Sequence, residues 1–438
     1  MNTTDFSLSR QRLMKAMLPN SIAIVPAASL VSRSRDTEYP FRQDSYFQYL
    51  TGFPEPEAYL VLSNDCEYKD GLSVLFCLDK DPLQEVWHGR RYGPKQAKKQ
   101  FAIDMAFALD ELDDKLLDLV DGHKHLYFAQ GHNTQADELV FDVMQALRNA
   151  AKQSKQAPAT IVDIRLILDE MRLIKSDAEI QVMRQAAAIA CQAHIRAMKF
   201  SEAGKNEYHL EAEIHHEFAM QGARHPAYGT IVGSGDNACI LHYTENNQTL
   251  TDGDLVLIDA GCELQGYAAD ITRTFPVSGT FSEEQKQLYN LVLKAQLKAF
   301  RAFKANNTIK QASDLAIEVI TQGLIDFGIL RGELADNIEQ LTYREFYMHG
   351  LSHWLGLDVH DVGHYKIDDE DRPLKAGMVL TVEPGVYIAP DANVDIKWRG
   401  IGIRIEDNLL ITESGYENLT QAAPKTVSEI ESIMRRGI

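Results

Sequence analysis

Carboxylate side chains stand at several points where the surrounding sequence is almost wholly apolar, and these positions are where the chain is most able to do chemistry. Four lie in or directly after runs typical of buried strands: Asp259 in DLVLIDA, Asp270 in YAADITRTF, Glu383 in MVLTVEPGVY and Glu406 in GIGIRIEDNLLI. Any one of them could be a strand end that bends out to water, or one half of an ion pair. Together they are hard to satisfy, because each buried carboxylate loses its hydration. Only Arg273 and Arg404 are near in sequence, so metal ions are the compensation that the pattern favours.

The run that begins at Ile401 shows which way two of these polar side chains point. Isoleucine alternates with Gly402, Arg404 and Glu406. Successive side chains of a strand point to opposite faces. We therefore expect Arg404 and Glu406 to point together, away from an apolar layer.

Histidines accompany the carboxylates in the second half of the chain. HGLSHWLGLDVHDVGH places His349, His353 and His360 in one glycine-rich segment, and His242 lies in ILHYTE, before the first acidic strand. The four-residue spacing of His349 and His353 matches the zinc helix of H-E-x-x-H proteases. That interpretation fails here, because Gly350 follows His349 and glycines disfavour a continuous helix.

Four carboxylates and one imidazole form an oxygen-rich ligand set. Such a set favours hard ions such as manganese, with cobalt, iron or zinc also possible where imidazole contributes. Four carboxylates suit two divalent ions, with some carboxylates bridging. A two-metal site can hold a bridging hydroxide as nucleophile and polarise a carbonyl or a phosphoryl oxygen. The residues alone therefore predict metal-dependent hydrolysis without fixing the bond that is cut.

The elements that position these residues divide into two groups. The 438 residues exceed what one hydrophobic core usually supports, so two domains are expected. Up to about residue 170, short apolar runs alternate with helical patterns: SIAIVPAA, AYLVLS, LSVLFCL and HLYFA read as strands, and helical spacing follows Ile103 and Asn133. This alternation predicts an α/β domain.

A boundary is predicted at Asp169–Ile180, where Ser176 and Glu179 form a capping box for a long helix. We expect this helix to reach about Met198 and a second to run from Asn206 to Gly222. Alternating patterns follow at YGTIVGSG, LHY and DLVLIDAGCELQGYAADITRTF. Two further helices are expected after Ser282 and Ile309, and strands from His349 to Thr412. The order helix, helix, strands thus occurs twice, which predicts an α+β domain with a pseudo-two-fold repeat and helices on one face of a sheet.

The overall composition limits the partners and the compartment. The formal net charge is −19, which disfavours nucleic-acid binding because that depends on basic residues that neutralise phosphates. The five cysteines are odd in number and contain no C-x-x-C, which favours buried free thiols in a reducing compartment. The first residues lack the apolar core of a secretory signal, and no apolar run reaches about 18 residues. A cytoplasmic protein without a membrane segment is expected.

The chain resembles the aminopeptidase P (Xaa-Pro aminopeptidase) family, within the wider group that contains prolidase, methionine aminopeptidase and creatinase. The motifs that carry the resemblance, in order, are IDAG, GYAADITRTFP, HGLSHWLGLDVHDVG, TVEPGVYI and GIRIEDN. The resemblance implies a creatinase-like α/β domain over residues 1–172 and a catalytic domain with the pita-bread fold over 173–438.

The resemblance also implies roles for individual residues. The implied metal ligands are Asp259, Asp270, His353, Glu383 and Glu406, with Asp270 and Glu406 bridging two ions. The residues implied around the substrate are His242, His349, His360, Tyr387 and Arg404. Trp87, in EVWHGRRYGP, resembles a residue that reaches the active site of a neighbouring subunit, which implies a homotetramer or homodimer. A packed core tryptophan is the alternative for Trp87.

The implied activity is release of the N-terminal residue from peptides with proline in second position, by attack of a metal-bridging hydroxide whose proton Glu383 moves. Prolidase, which cleaves Xaa-Pro dipeptides, is the nearest alternative. Ser352 and Trp354, on either side of His353, resemble aminopeptidase P more. Methionine aminopeptidases usually lack so long an N-terminal domain. An inactive peptide-binding relative would be expected to have lost several of the implied ligands.

Overall fold

The computed structural model describes residues 1–65 and 70–435. The chain divides into two compact units, Met1–Arg172 and Leu173–Ile438. Each unit is described by itself.

The first unit is an α/β structure. Its helices are α1 Thr3–Ala16, α2 Ser45–Thr51, α3 Pro82–His88, α4 Gly93–Gln100, α5 Leu112–Val120, α6 Thr134–Asn149 and α7 Arg165–Leu173, which ends where the second unit begins. Its strands are β1 Ser21–Pro26, β2 Ser32–Ser34, β3 Thr37–Glu38, β4 Tyr59–Ser63, β5 Leu72–Cys77, β6 Met105–Ala108, β7 His125–Tyr127 and β8 Thr160–Val162.

A mixed sheet of order β6-β5-β4-β1-β7-β8 forms the centre of this unit. The predicted strands SIAIVPAA, AYLVLS, LSVLFCL and HLYFA are confirmed as β1, β4, β5 and β7. All residues of β1 and β5 are buried, which explains their continuous apolar sequence. The edge strands β6 and β8 were not predicted, because they are only four and three residues long and none of their residues is fully buried.

The second unit combines long helices with small antiparallel sheets. Its helices are α8 Asp177–Phe200, α9 Glu207–Met220, α10 Glu283–Phe300, α11 Ile309–Asp326, α12 Leu334–Glu339 and α13 Val427–Met434. Its strands are β9 His225–Pro226, β10 Ile231–Ser234, β11 Leu255–Asp259, β12 Cys262–Leu264, β13 Tyr267–Ala268, β14 Thr272–Pro276, β15 Lys366–Ile367, β16 Glu370–Asp371, β17 Val379–Val382, β18 Gly385–Ile388, β19 Ile401–Arg404, β20 Asp407–Ile411 and β21 Tyr416–Asn418.

The helix pairs follow the predicted order. The capping box that starts α8 is present, with Ser176 N–H donating to the Glu179 carboxylate at 2.8 Å. Helix α8 packs against α9, and α10 packs against α11, so each half of the unit contributes one helix pair. The main strands form the sheets β10-β11-β14, β17-β20-β21 and β18-β19. The predicted two-fold helix, helix, strands organisation is confirmed.

Strand alternation separates the core from the opposite face. In β11, Val256 and Ile258 belong to the main hydrophobic core, whereas Leu257 faces a small cluster that includes Tyr387. Likewise Ile403 and Ile405 enter the main core. The face left free by the helices carries the polar ends of these strands.

Two segments predicted as strands are not strands. LHY lies between the 3₁₀ turn Gly235–Cys239 and β11, in a segment held by side-chain hydrogen bonds rather than by a ladder. The prediction of strands from His349 onward is also wrong for the first part. Within the described residues, the segment 349–365 has only an isolated bridge between Trp354 and Leu380. Its glycines do not support a pleated strand.

The thiols of Cys77, Cys191, Cys239 and Cys262 are free, and all but that of Cys239 are buried. Cys239 is half-buried, which differs from the prediction. Cys66 lies outside the described residues. None of the helices in the described ranges combines the length and apolar composition that crossing a bilayer requires.

Candidate metal centre

The predicted carboxylates come from strand ends that converge on one cleft. Asp259 is the last residue of β11, and Asp270 lies two residues before β14, which pairs with β11. Glu383 follows β17, and Glu406 lies between β19 and β20. The Glu406 N–H donates to the Thr272 carbonyl at 3.0 Å, and the Thr272 hydroxyl donates to the Glu406 carboxylate at 2.7 Å. This contact joins the two halves of the pseudo-repeat at the cleft.

His353 lies among these carboxylates. Its Nε2 is 3.4 Å from Asp270 Oδ2 and 3.5 Å from Glu383 Oε1. Ligand atoms of Asp270, His353 and Glu406 all lie within 4.8 Å of one another. The other ring nitrogen, Nδ1, is 3.0 Å from the Trp354 carbonyl and must donate to it, since a carbonyl only accepts. In the neutral ring this leaves the Nε2 lone pair directed at the carboxylates, as metal-ligating histidines require.

Arg404 is the cation that faces the carboxylates. It is 4% exposed, and its Nη2 donates to Asp259 Oδ2 at 2.7 Å. Its Nη1 donates to the Tyr387 hydroxyl at 3.0 Å. Arg273, the other arginine considered from the sequence, is directed elsewhere, to Asp407 at 2.7 Å. One arginine therefore faces four carboxylates in this part of the described chain.

Tyr228 is a further residue of the cleft that the sequence did not reveal. Its hydroxyl lies 2.6 Å from both Asp259 Oδ1 and Asp270 Oδ1. A hydroxyl carries one hydrogen, so it can donate to only one of these carboxylates at a time. Tyr228 lies in PAYGT, which has no acidic or histidine pattern that could have marked it.

The pKa values of the cleft carboxylates show that gathering them in one buried place disfavours their charged forms. Burial, together with repulsion from Asp270 and the other carboxylates, raises the pKa of Glu406 well above its usual value. Burial raises the pKa of Glu383 to about 7. Burial and the neighbouring Asp259 also raise the pKa of Asp270. Burial opposes ionisation of Asp259 too, but Arg404 and Tyr228 hold its pKa below the usual value.

These observations test whether the residues fit a metal. Four carboxylates with one arginine leave a net negative charge in a buried cleft, and the donor set is oxygen-rich with one imidazole directed inward. Divalent cations relieve this repulsion and match these donors. The residues therefore fit a metal centre.

The remaining predicted residues surround the centre. A cleft of about 550 Å³ is lined by the five predicted ligands and by Tyr228, Gly229, Ile231, Leu241, His242, Thr244, His349, Gly350, Ser352, Val359, His360 and Arg404. Its wall is apolar at Ile231, Leu241 and Val359. The cleft thus combines polar groups at one end with apolar surface, as binding sites for small organic groups do.

His349 is held in one tautomer. Its Nδ1 is 2.8 Å from the Gly350 carbonyl and donates to it, whereas Nε2 lies 2.8 Å from the Tyr387 hydroxyl. Because Tyr387 accepts from Arg404, its own hydrogen is available for His349 Nε2. Burial and the Arg404 charge lower the pKa of His349 to about 4, so the ring is neutral at physiological pH. Tyr387 itself is 2% exposed and acts from behind the cleft wall.

His360 lies beside His353, with ring centroids 4.2 Å apart. Burial lowers the pKa of His360. His242 also lines the cleft. The structure thus brings together the predicted site residues of the second unit.

Trp87 does not line this cleft. It lies on α3 of the first unit and is 81% exposed, and Leu83 and Val86 on the same helix are 77% and 79% exposed. The alternative of a packed core tryptophan is therefore wrong for the single chain.

Comparison with known proteins gives consistent results. The model of metallopeptidase family M24 matches residues 181–413, and that of the aminopeptidase P N-terminal domain matches residues 6–127. The chain is 50% identical over 430 residues to the Xaa-Pro aminopeptidase of Escherichia coli (strain K12), covering 98% of this chain and 97% of that protein. It is 48% identical over 430 residues to the Xaa-Pro aminopeptidase of Haemophilus influenzae, covering 98% and 97%. A structure of zinc-substituted E. coli aminopeptidase P in complex with product superposes with a TM-score of 0.97 at 49% identity, covering 100% of both chains.

Proposed function

The chain belongs to metallopeptidase family M24 and acts as a metal-dependent Xaa-Pro aminopeptidase, and we propose that the cleft around Asp270 is where it releases the N-terminal residue from peptides with proline in second position. The observation that supports this site is the convergence of five ligand-type side chains in one buried cleft. The relatives support this activity over prolidase and over an inactive binding protein. We assign residues 1–172 to the N-terminal domain and 173–438 to the catalytic domain.

For the metal centre, we propose Asp259, Asp270, His353, Glu383 and Glu406 as the ligands of two divalent ions, with Asp270 and Glu406 bridging. The oxygen-rich set favours Mn²⁺. Bound ions would activate a water molecule as nucleophile and polarise the scissile carbonyl.

The side chains around the centre have separate duties. Asp259 binds the free amine of the substrate, and Glu383 accepts and returns a proton as the general base and acid of the reaction. His360 faces the scissile carbonyl. His242 and His349 position the substrate and stabilise the negative charge that develops on it. The proline ring packs beside His349 and Arg404, and Tyr387 supports both of these side chains from behind.

The preferred length of the substrate follows from the fact that Arg404 is already bound to a carboxylate of the cleft. A dipeptidase must neutralise the proline carboxylate, since a desolvated carboxylate is costly without a cation. Among the described residues that line the cleft, Arg404 is the only Lys or Arg, and it is already bound to Asp259. We therefore expect Xaa-Pro-Yaa tripeptides to be cleaved faster than Xaa-Pro dipeptides, by at least about tenfold in kcat/KM.

Steady-state kinetics on a matched tripeptide and dipeptide test this expectation. The Xaa-Pro amide is the control, since it removes the free carboxylate without lengthening the chain, and it should recover most of the lost rate. Replacing the proline by alanine should remove most of the activity. Preferential cleavage of the free dipeptide would show that the enzyme is a prolidase.

We also propose a homo-oligomer, a tetramer or a dimer, in which Trp87 reaches the active site of a neighbouring subunit. The exposed apolar side chains of α3 support this assembly. For the compartment we propose the cytoplasm. In support, the thiols of Cys77, Cys191, Cys239 and Cys262 are free, as the cysteines of proteins in a reducing compartment usually are.

A further inference from the structure

The side chain of Glu207 is completely buried, yet it takes no part in the cleft chemistry. Its Oε1 accepts from the Ser234 N–H at 2.7 Å, the Ser234 hydroxyl at 2.8 Å and the Asn237 amide at 3.1 Å. Its Oε2 accepts from the Tyr243 hydroxyl at 2.8 Å and the Gln248 N–H at 2.9 Å. Among the described residues, no Lys, Arg or His is a hydrogen-bond or ion-pair partner of this carboxylate. Its negative charge is stabilised by these donors and by its place in the first turn of α9.

Two of these donors belong to the segment 240–248, which we call the cleft loop. The loop has no regular structure and connects the 3₁₀ turn Gly235–Cys239 towards β11. Leu241, His242 and Thr244 of the loop line the cleft. His242 is exposed, and within the described chain no side-chain hydrogen bond holds its ring. Its position is therefore set by the backbone of the loop.

Tyr243 anchors that backbone directly next to His242. Its ring packs in a small cluster with Ile231, Leu257 and Tyr387, and its hydroxyl reaches Glu207. Because Tyr243 directly follows His242, fixing the tyrosine restricts where the histidine can lie. The carboxylate thus connects α9 to the wall of the cleft.

Asn246 provides a second anchor for the same loop. It is 1% exposed, its Oδ1 accepts from the Val232 N–H at 2.9 Å, and its Nδ2 donates to the Thr230 carbonyl and to the Glu211 carboxylate, each at 2.9 Å. Glu211 lies one turn after Glu207 on α9. Both anchors of the loop therefore depend on one face of this helix.

We propose that Glu207 is a positioning residue, which holds the cleft loop against α9 and thereby places His242 beside the substrate. The inference rests on the proposed function of the cleft. Hydrogen bonds to a charged acceptor are stronger than neutral ones, and a buried carboxylate that loses a donor carries the full cost of its desolvation. Loop and helix are therefore stable only in the arrangement that satisfies all the donors.

A double-mutant cycle with His242 tests this inference. Tyr243→Phe removes one donor and keeps the packed ring, and Glu207→Gln replaces an acceptor oxygen by a donor group. Measured on an Xaa-Pro-Yaa tripeptide, Tyr243→Phe should lower kcat/KM by about three- to tenfold, and Glu207→Gln by more. In a His242→Ala background the further loss from Tyr243→Phe should shrink to less than about twofold, because the residue to be positioned is gone. Equal losses in both backgrounds would overturn the inference.

The control for loss of a hydrogen-bonded tyrosine hydroxyl is Tyr46→Phe in the first unit. In the wild type, the Tyr46 hydroxyl donates to Asp169 at 2.7 Å. It should lower the Tm without changing kcat/KM. Hydrogen exchange of the backbone amides is the second measurement. In Tyr243→Phe, residues 240–248 should exchange about tenfold faster than in the wild type, while α10 should be unchanged.

Unchanged exchange in the cleft loop would also overturn the inference. Failure of the wild type to cleave the tripeptide would instead reject the proposed function. In that case hydrogen exchange still decides whether Glu207 holds the loop.

Discussion

Asp270 and Glu406 are the most buried of the four carboxylates in the cleft, with 5% and 1% of their surface exposed. In the metal-free cleft, burial and the neighbouring carboxylates raise the pKa of both, so ionising either group costs more than it does in water. A carboxyl group whose pKa is raised by folding destabilises the folded protein at every pH above its unfolded pKa. The residues proposed to bridge the metals thus weaken the metal-free fold, and metal binding is what compensates for them.

Because the carboxylates of the cleft need cations, we expect the activity to depend on bound metal. Chelation should abolish activity, and manganese should restore it best. Asp270→Ala and Glu406→Ala should each remove a bridging ligand and lose one or both ions, as measured by elemental analysis of the purified protein. Glu413→Ala, at an exposed carboxylate, is the control and should keep full metal content and activity.

The metal-free state gives a second measurement of the same effect. Glu406→Gln keeps an acceptor for the Thr272 hydroxyl but removes the buried charge, so after chelation its Tm at pH 7 should exceed that of the metal-free wild type. Full wild-type activity in a preparation shown to be metal-free would contradict the proposed centre.

The irregular segment between Leu351 and Gly363 carries both His353 and His360, although no sheet ladder holds most of it. A buried ion pair replaces the ladder: Lys175 Nζ lies 2.9 Å from Asp361 Oδ2, and both side chains are 1% exposed. The pair packs on Gly356, where an added Cβ would collide with the Asp361 carboxylate. This segment is therefore fixed from behind, by the residues that precede α8.

Removing one member of this ion pair should be costly. Lys175→Met removes the cation that lies 2.9 Å from the buried Asp361 carboxylate, and we expect a loss of about 3–5 kcal/mol in the free energy of unfolding of the second unit. Lys175→Met combined with Asp361→Leu should lose less, since the carboxylate that Lys175 neutralises is then removed as well. Urea unfolding measures both.

Lys310→Met is the matched control, because Lys310 and Asp314 form an exposed pair with an N–O distance of 2.6 Å. Its loss should stay below about 1 kcal/mol. Equal losses for Lys175→Met and Lys310→Met would show that the buried pair does not stabilise the segment.

The surface of the first unit has a feature that supports the proposed assembly. Helix α3 presents Leu83, Val86 and Trp87 to solvent, and no residue of this helix is buried in the single chain. Clustered exposed apolar side chains of this kind mark interaction surfaces. The proposed occupant of this surface is a second copy of the chain.

Trp87→Ala should therefore weaken assembly and impair the cleavage of long peptides more than it impairs folding. Sedimentation velocity gives the oligomeric state, and kcat/KM for a tripeptide and a longer peptide gives the length dependence. Phe141→Ala is the control, since Phe141 is also exposed, at 64%, on the same unit. A wild-type monomer with full activity would rule out a shared site.

The sequence by itself predicted the chemistry of the second unit, because strand alternation makes burial visible along the chain. One carboxylate at the end of an apolar run can bend out to water, but four of them in one domain indicate a site that needs cations, and that inference needs no knowledge of which residues meet. Capping chemistry fixed the start of α8 for the same reason, since Ser176 and Glu179 act within one turn. The order of helix pairs and strands likewise follows from the local spacing of apolar residues along the chain.

Only the tertiary structure decided the contacts that span long separations. Tyr228 lies 31 positions before Asp259 and 42 before Asp270, and Lys175 and Asp361 are 186 positions apart. Nothing in the local composition of PAYGT or of the Lys175 segment reports such a partner. LHY was mistaken for a strand because its alternation resembles one, whereas its Tyr243 hydroxyl donates to Glu207 on a separate helix. A local pattern records whether a side chain is buried, but the partner that satisfies it is set by how the elements pack.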